Sequence, residues 1–154
     1  MQRFFVIVIL AVAIVGVMLY FVPKPYQQAI LSVLPDDAEI SVYCRNGSAD
    51  GVDLGFGSMV RCSVSALTET YGQCGIIDGV SATFCGDYGC VQSIMSKLRV
   101  NALTEWTSDG LTVISGYSSA VGGALTVDGK PVNCQIAYNN GVITIGFPLI
   151  LGDY

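Results

Sequence analysis

The chain has 154 residues; 52% are hydrophobic, 12% are charged, none is histidine, and the formal net charge is −5. The absence of histidine excludes Ser-His-Asp and Cys-His nucleophilic sites and removes the commonest partner of cysteine around zinc. Six of the seven basic residues and all twelve acidic ones follow Val22, so that part carries −6. It has no Lys/Arg cluster and repels phosphate backbones, so no nucleic-acid partner is expected.

The first element is an unbroken apolar run from Phe4 to Val22, FFVIVILAVAIVGVMLYFV, 19 residues without charge or proline. As a helix it would be about 28 Å long at ~1.5 Å per residue. That matches a hydrocarbon core of roughly 30 Å. Tyr20 and Phe21 suit the lipid–water interface at its exit, and Pro23 and Pro25 stop the helix. Residues 1–22 are therefore expected to be a membrane anchor, with the lipid bilayer as partner of residues 4–22. A cleavable secretory signal competes with this reading. Its apolar core would be about 7–15 residues and would end at a small-x-small site. The stretch after Val22, PKPYQQA, places Gln27 and Ala29 at that spacing. Arg3 before the run and Lys24 after it lean toward a cytoplasmic N-terminus. The expected location is the cell membrane, single-pass, with the soluble domain outside.

Residues 23–37 read as a linker in which Gln27–Leu34 makes a short amphipathic helix near the membrane. Residues 38–154 suffice for one extracytoplasmic domain with its own core. Strands are predicted over Ile40–Cys44 and Ser58–Val64, on either side of a glycine-rich loop, Asn46–Gly57. A helix over Ser65–Cys74 sets Leu67, Tyr71 and Cys74 on one side. Val80, Ala82 and Phe84 then alternate in a strand. Asp87 caps the next helix, whose Val91, Ile94, Met95 and Leu98 form one apolar stripe. Lys97 and Arg99 lie near its C-terminus, where positive charge is favoured.

In the last third, Asp109-Gly110, Asp128-Gly129 and Asn140-Gly141 are two-residue hairpin turns. Val132, Cys134, Ile136 and Tyr138 alternate with Asn133, Gln135, Ala137 and Asn139, and Ile143, Ile145 and Phe147 continue the period of two. Before the Asp109 turn, Leu103 and Trp106 break strict alternation; after it, Leu111, Val113 and Ser115 oppose Thr112, Ile114 and Gly116. The spacing predicts an antiparallel meander from Asn101 to Ile150. One-striped helices and a one-faced sheet bury each other. The expected fold is α+β, a two-layer sandwich of a mostly antiparallel sheet with two helices on one face.

Five segments carry a family resemblance: GVSATFCGD (Gly79–Asp87), the helix to Leu98, SGYSS (Ser115–Ser119), DGKPVNCQIAYNNG (Asp128–Gly141) and ITIGFPLILGDY (Ile143–Tyr154). Over roughly its last half the chain resembles the YwmB-like proteins of Firmicutes. The resemblance implies a TATA-box-binding-like fold, a curved sheet with helices on one side, in anchored or exported proteins. It brings no activity and no functional residues. The chain looks shorter than typical members, and its cysteines depart from that family.

Six cysteines invite a disulfide framework whose pairing sequence alone does not give. Cys44, Cys62 and Cys134 continue apolar strand faces and read as core thiols. Cys74, Cys85 and Cys90 are the better disulfide candidates; Cys85 ends a strand and Cys90 lies in the next helical turn, so these two are the expected pair. No CxxC motif is present, and no metal or cofactor is expected. Glu39, Glu69 and Glu105 are the only glutamates. Asp36, Asp78, Asp87, Asp109 and Asp128 fall in predicted turns or caps, where short carboxylates have structural work. Gly55–Ser58 lacks the lysine and helix of a phosphate loop. No catalytic residue is assigned.

Trp106, Tyr117, Tyr138 and Tyr154 are the candidate partner-binding surface, since amphipathic aromatics are common at interfaces; they are equally common at sheet edges and in cores. The expected function is a non-enzymatic, membrane-anchored cell-envelope domain that binds an envelope protein or assembles with itself. The alternative is a thiol-active envelope protein using Cys85 and Cys90. Asp87 beside them works against that alternative by disfavouring the thiolate.

Overall fold

Among the described residues, period-two alternation and three short amphipathic helices organise the domain. The computed structural model describes residues 25–45, 51–55 and 57–151. The expected anchor (residues 1–22) and Tyr154 lie outside these residues. No helix among the described residues is long and apolar enough to cross a membrane. In chain order the elements are α1 (Pro25–Leu31), β1 (Glu39–Cys44), β2 (Val52–Asp53), β3 (Ser58–Ser63), α2 (Leu67–Gln73), β4 (Ile77–Cys85), α3 (Tyr88–Leu98), β5 (Asn101–Ser108), β6 (Leu111–Tyr117), β7 (Leu125–Val127), β8 (Lys130–Val132), β9 (Cys134–Asn139) and β10 (Val142–Phe147).

Eight strands form one antiparallel sheet in the order β2-β3-β1-β4-β10-β9-β6-β5, and β7-β8 form a separate ribbon. The architecture is α+β, as expected. Its helix face carries Ile40, Val42, Val80, Ala82, Ile136, Ile143 and Ile145. These pack in one buried cluster with Ile30 of α1, Leu67 and Tyr71 of α2, and Val91, Ile94 and Leu98 of α3. The register sets these residues side by side: Val42 opposes Val80, Ala82 opposes Ile145, and Ile145 opposes Ile136. The α3 stripe is as predicted, and Asp87 caps the helix by accepting from the Cys90 amide at 2.9 Å. That hydrogen bond favours the carboxylate and holds the Asp87 pKa below its ordinary value. The helix ends at Arg99, whose φ of 51° is left-handed.

Two expectations change. First, the stretch read as a linker is part of the core. Ile30 is 0% exposed and Val33 and Leu34 are buried, because they join one apolar cluster with Tyr71 of α2, Val80 of the sheet and Val121 of the loop after β6. Second, the last fifty residues are not a simple meander. β6 pairs with β9, and β10 lies between β9 and β4. The Asp128-Gly129 turn is present, but its flanking strands leave the sheet. Asn133 anchors that departure: it is buried, its Oδ1 accepts from the Ser118 amide at 2.7 Å, and its Nδ2 donates to the carbonyls of Ser118 at 2.8 Å and Gly123 at 2.9 Å.

The two ends of the sheet differ. At one, Asp109-Gly110 and Asn140-Gly141 close hairpins with positive φ at all four residues; this is the turn end. At the other, Cys44 opposes Ile77, Phe147 opposes Val80, and Cys134 opposes Gly116. Cys44 is bonded there to Cys74 at the end of α2, with a Cα–Cα distance of 5.8 Å; this is the disulfide end.

Candidate functional site

Among the described residues, the chain after β10 crosses the sheet face opposite the helices. Alternation brings Ser41 and Tyr43 of β1, Met59 and Arg61 of β3, Ser81 and Thr83 of β4, Thr144 of β10 and Gln135 of β9 to this face. After the cis Phe147–Pro148 bond the chain crosses it. The Ile150 amide donates to Gln135 Oε1 at 3.1 Å and the Leu151 amide to Ser81 Oγ at 3.3 Å. Gln135 Nε2 in turn donates to Ser115 Oγ at 3.1 Å. Gly146 lies directly under this crossing: a Cβ there would collide with the backbone of Leu149 and Ile150.

Beside the crossing lies a concavity of about 660 Å³, lined by Ser41, Tyr43, Ser81, Thr83 and Thr144, with Met59 and Leu151 as apolar walls. Thr83 and Thr144 share a hydroxyl hydrogen bond at 3.2 Å. The charges at its rim are paired, Arg61 with Glu39 at 3.3 Å and Arg45 with Asp78. The hydrogen bonds to Asp78 and its negative charge raise the Arg45 pKa. Partial burial raises that of Tyr43, against the opposing pull of its hydrogen bond to Ser81 and of Arg61. The floor of this groove offers hydrogen bonds.

β5 forms one margin of the sheet over eight residues, against two for β2 at the other. The turn Asp109-Gly110 makes Ser108 and Leu111 a hydrogen-bonded pair, so alternate residues Glu105 and Thr107 direct their backbone groups away from β6. β5 contains neither lysine nor proline, the usual guards of an exposed edge. Trp106, 57% exposed, stands on the open face opposite Val113.

The four candidate aromatics are not brought together. Trp106 and Tyr117 share the open face but stand four residues apart along β6, about 13 Å. Tyr138 continues the Cys134/Ile136 parity onto the helix face, where its ring meets that of Tyr88 edge-on at 5.6 Å. Tyr154 lies outside the described residues. Strand parity separates these rings, and spacing along the chain did not show it.

The cysteines also differ from expectation. Cys44 is bonded to Cys74 and is not a free core thiol; Cys62, Cys85, Cys90 and Cys134 are free. Cys85 follows the core residue Phe84 and so leaves β4 on the open face, whereas Cys90 sits in the first turn of α3 in the helix layer. Adjacency in sequence did not make them a pair. Cys134 is a core thiol as read, its pKa pushed up to about 12 by burial. Cys62 is half-buried and raised for the same reason, with a hydrogen bond to Thr70 opposing. Among the described residues, no three of His, Cys, Asp or Glu lie together as metal ligands. Asn133 and the Cys44–Cys74 bond escaped the sequence reading: Asn133 sits on the polar phase of its strand, and Cys44 on the apolar phase of its own. No protein-family model, curated protein or solved structure matches this chain.

Proposed function

We propose that the protein is a non-enzymatic, membrane-anchored domain of the cell envelope that binds another protein strand, or a second copy of itself, along β5. One observation carries the reading: an eight-residue edge strand directs the backbone groups of Glu105 and Thr107 outward beside an exposed tryptophan. Such an edge is a template for an added strand, with backbone hydrogen bonds supplying affinity and side chains supplying selection. The apolar run Phe4–Val22 supports the anchor. The Cys44–Cys74 bond supports an oxidising, extracytoplasmic side. The YwmB-like resemblance, carried by β4–α3 and the last two strands, accords with an anchored or exported protein.

The test is photocrosslinking from position 106 in the full chain within its native membranes. The expected result is one defined adduct, near twice 16.3 kDa for self-pairing, or 16.3 kDa plus the partner's own mass for another protein. Thr107→Pro removes an outward amide and leaves the β5–β6 ladder intact, so it should abolish that adduct. An adduct that survives Thr107→Pro, or no adduct at all, refutes strand addition at β5.

A further inference from the structure

Exposed apolar side chains are unevenly placed. Of the nine large ones among the described residues, Val52, Ile76, Tyr117, Leu125 and Leu151 lie toward the disulfide end of the sheet, and Val127 shares the strand of Leu125. Two of them occupy β7. Leu125 is 47% and Val127 38% exposed, and as alternate residues of one strand they share a side. The ribbon β7–β8 is inserted between Tyr117 of β6 and Cys134 of β9, both at the disulfide end, and lies outside the main sheet. Lys130 stands opposite Val127.

The same end receives α1. Ile30 lines a cavity of about 330 Å³ together with Val121, Leu125, Phe147 and Pro148. α1 starts at Pro25, and the apolar run ends at Val22. Two intervening residues span at most about 10 Å between these points. With the run in a bilayer, the start of α1 is held near the lipid surface, and the apolar ribbon belongs to the end of the domain that α1 serves.

Resting on the anchor reading, we propose that the β7–β8 ribbon is a second membrane contact: Leu125 and Val127 enter the interface of the bilayer that holds the anchor, with Lys130 toward the lipid phosphates. The occupant is lipid because the apolar run places a bilayer at this end, and because an apolar pair with an adjacent cation suits the boundary between acyl chains and headgroups. The contact fixes how the domain stands on the membrane. It keeps the long axis of the sheet upright and sets the turn end, with Trp106, away from the lipid.

Trp106 is the only tryptophan, which makes the test direct. The full chain and its Trp106→Phe/Val127→Trp variant are reconstituted in phosphatidylcholine vesicles with and without brominated acyl chains, and floated on a gradient. Expected is co-flotation of both, with quenching of the variant at least about twofold stronger than that of the parent chain. Leu125→Trp in the same background, also on the ribbon surface, should agree. Flotation with equal quenching overturns the ribbon contact and leaves the anchor standing. Failure of the full chain to float overturns the anchor reading and this inference with it.

Discussion

Asn133 is 1% exposed, and its side chain hydrogen-bonds to the backbone of Ser118 and Gly123. Alanine there would strand the buried Ser118 amide, at about 1–3 kcal/mol, while the Ser118 carbonyl keeps the Val121 amide at 3.4 Å and the Gly123 carbonyl belongs to an exposed residue. Asn133→Ala is therefore expected to lower unfolding free energy by about 1–3 kcal/mol in urea titrations; a loss below about 0.5 kcal/mol would mean the loop finds other partners. Cys134 makes a second residue-scale claim. Its folded pKa, about 12, is raised from 9.0, so the folded state holds the proton more tightly than the unfolded state. That contribution is whole below pH ~9 and is lost as pH rises toward ~12. The urea midpoint of the parent chain should fall more steeply between those limits than that of Cys134→Ala. Parallel curves would show that Cys134 does not carry the effect. With a thiol reagent at pH 8, the exposed Cys85 and Cys90 should be labelled in the folded chain and Cys134 only on unfolding, because Cys134 is buried and burial disfavours its thiolate.

At the scale of elements, the Cys44–Cys74 bond ties the end of α2 to the end of β1 across a sequence separation of 30 residues. The enclosed segment contains the glycine-rich loop, β2 and β3, so closing it in the unfolded chain is entropically costly. Cys74→Ser should destabilise the domain by about 2–4 kcal/mol. Reductant should shift the parent chain to the same urea midpoint and leave the variant unmoved; a parent chain insensitive to reductant would show that the bond is not formed. Much at this scale was legible beforehand. Asp87 and the Val91/Ile94/Leu98 stripe marked α3, and three Asx-Gly pairs marked three hairpin turns. The aromatic candidates were not legible, because a period of two says which residues share a face but not which faces of distant strands coincide.

For the whole molecule, the decisive departure is α1. A chain starting at residue 23 keeps Ile30, Val33 and Leu34 in the core and should unfold cooperatively. One starting at residue 38, the boundary read from sequence, loses all three. At about 1.5–3 kcal/mol for each buried aliphatic side chain, the loss is about 4.5–9 kcal/mol, against a total stability of roughly 5–15 kcal/mol. The shorter chain should show no cooperative transition in a urea or thermal melt; a sharp one would show that α1 is dispensable. The same placement shortens the path between apolar run and domain, and the proposed ribbon contact with lipid follows from it.

The amino-acid sequence by itself determined the local grammar: the apolar run, alternating strands, the capped helix, the hairpin turns and the thiol of Cys134 in the core. Each depends on neighbours within a few positions, where backbone sterics and burial period suffice. Only the tertiary structure decided that β10 lies between β4 and β9, that Cys44 meets Cys74, that Asn133 is buried and that α1 belongs to the core. Those outcomes depend on which distant surfaces cover one another. Apolar burial drives that choice without direction, so no short stretch of sequence encodes it.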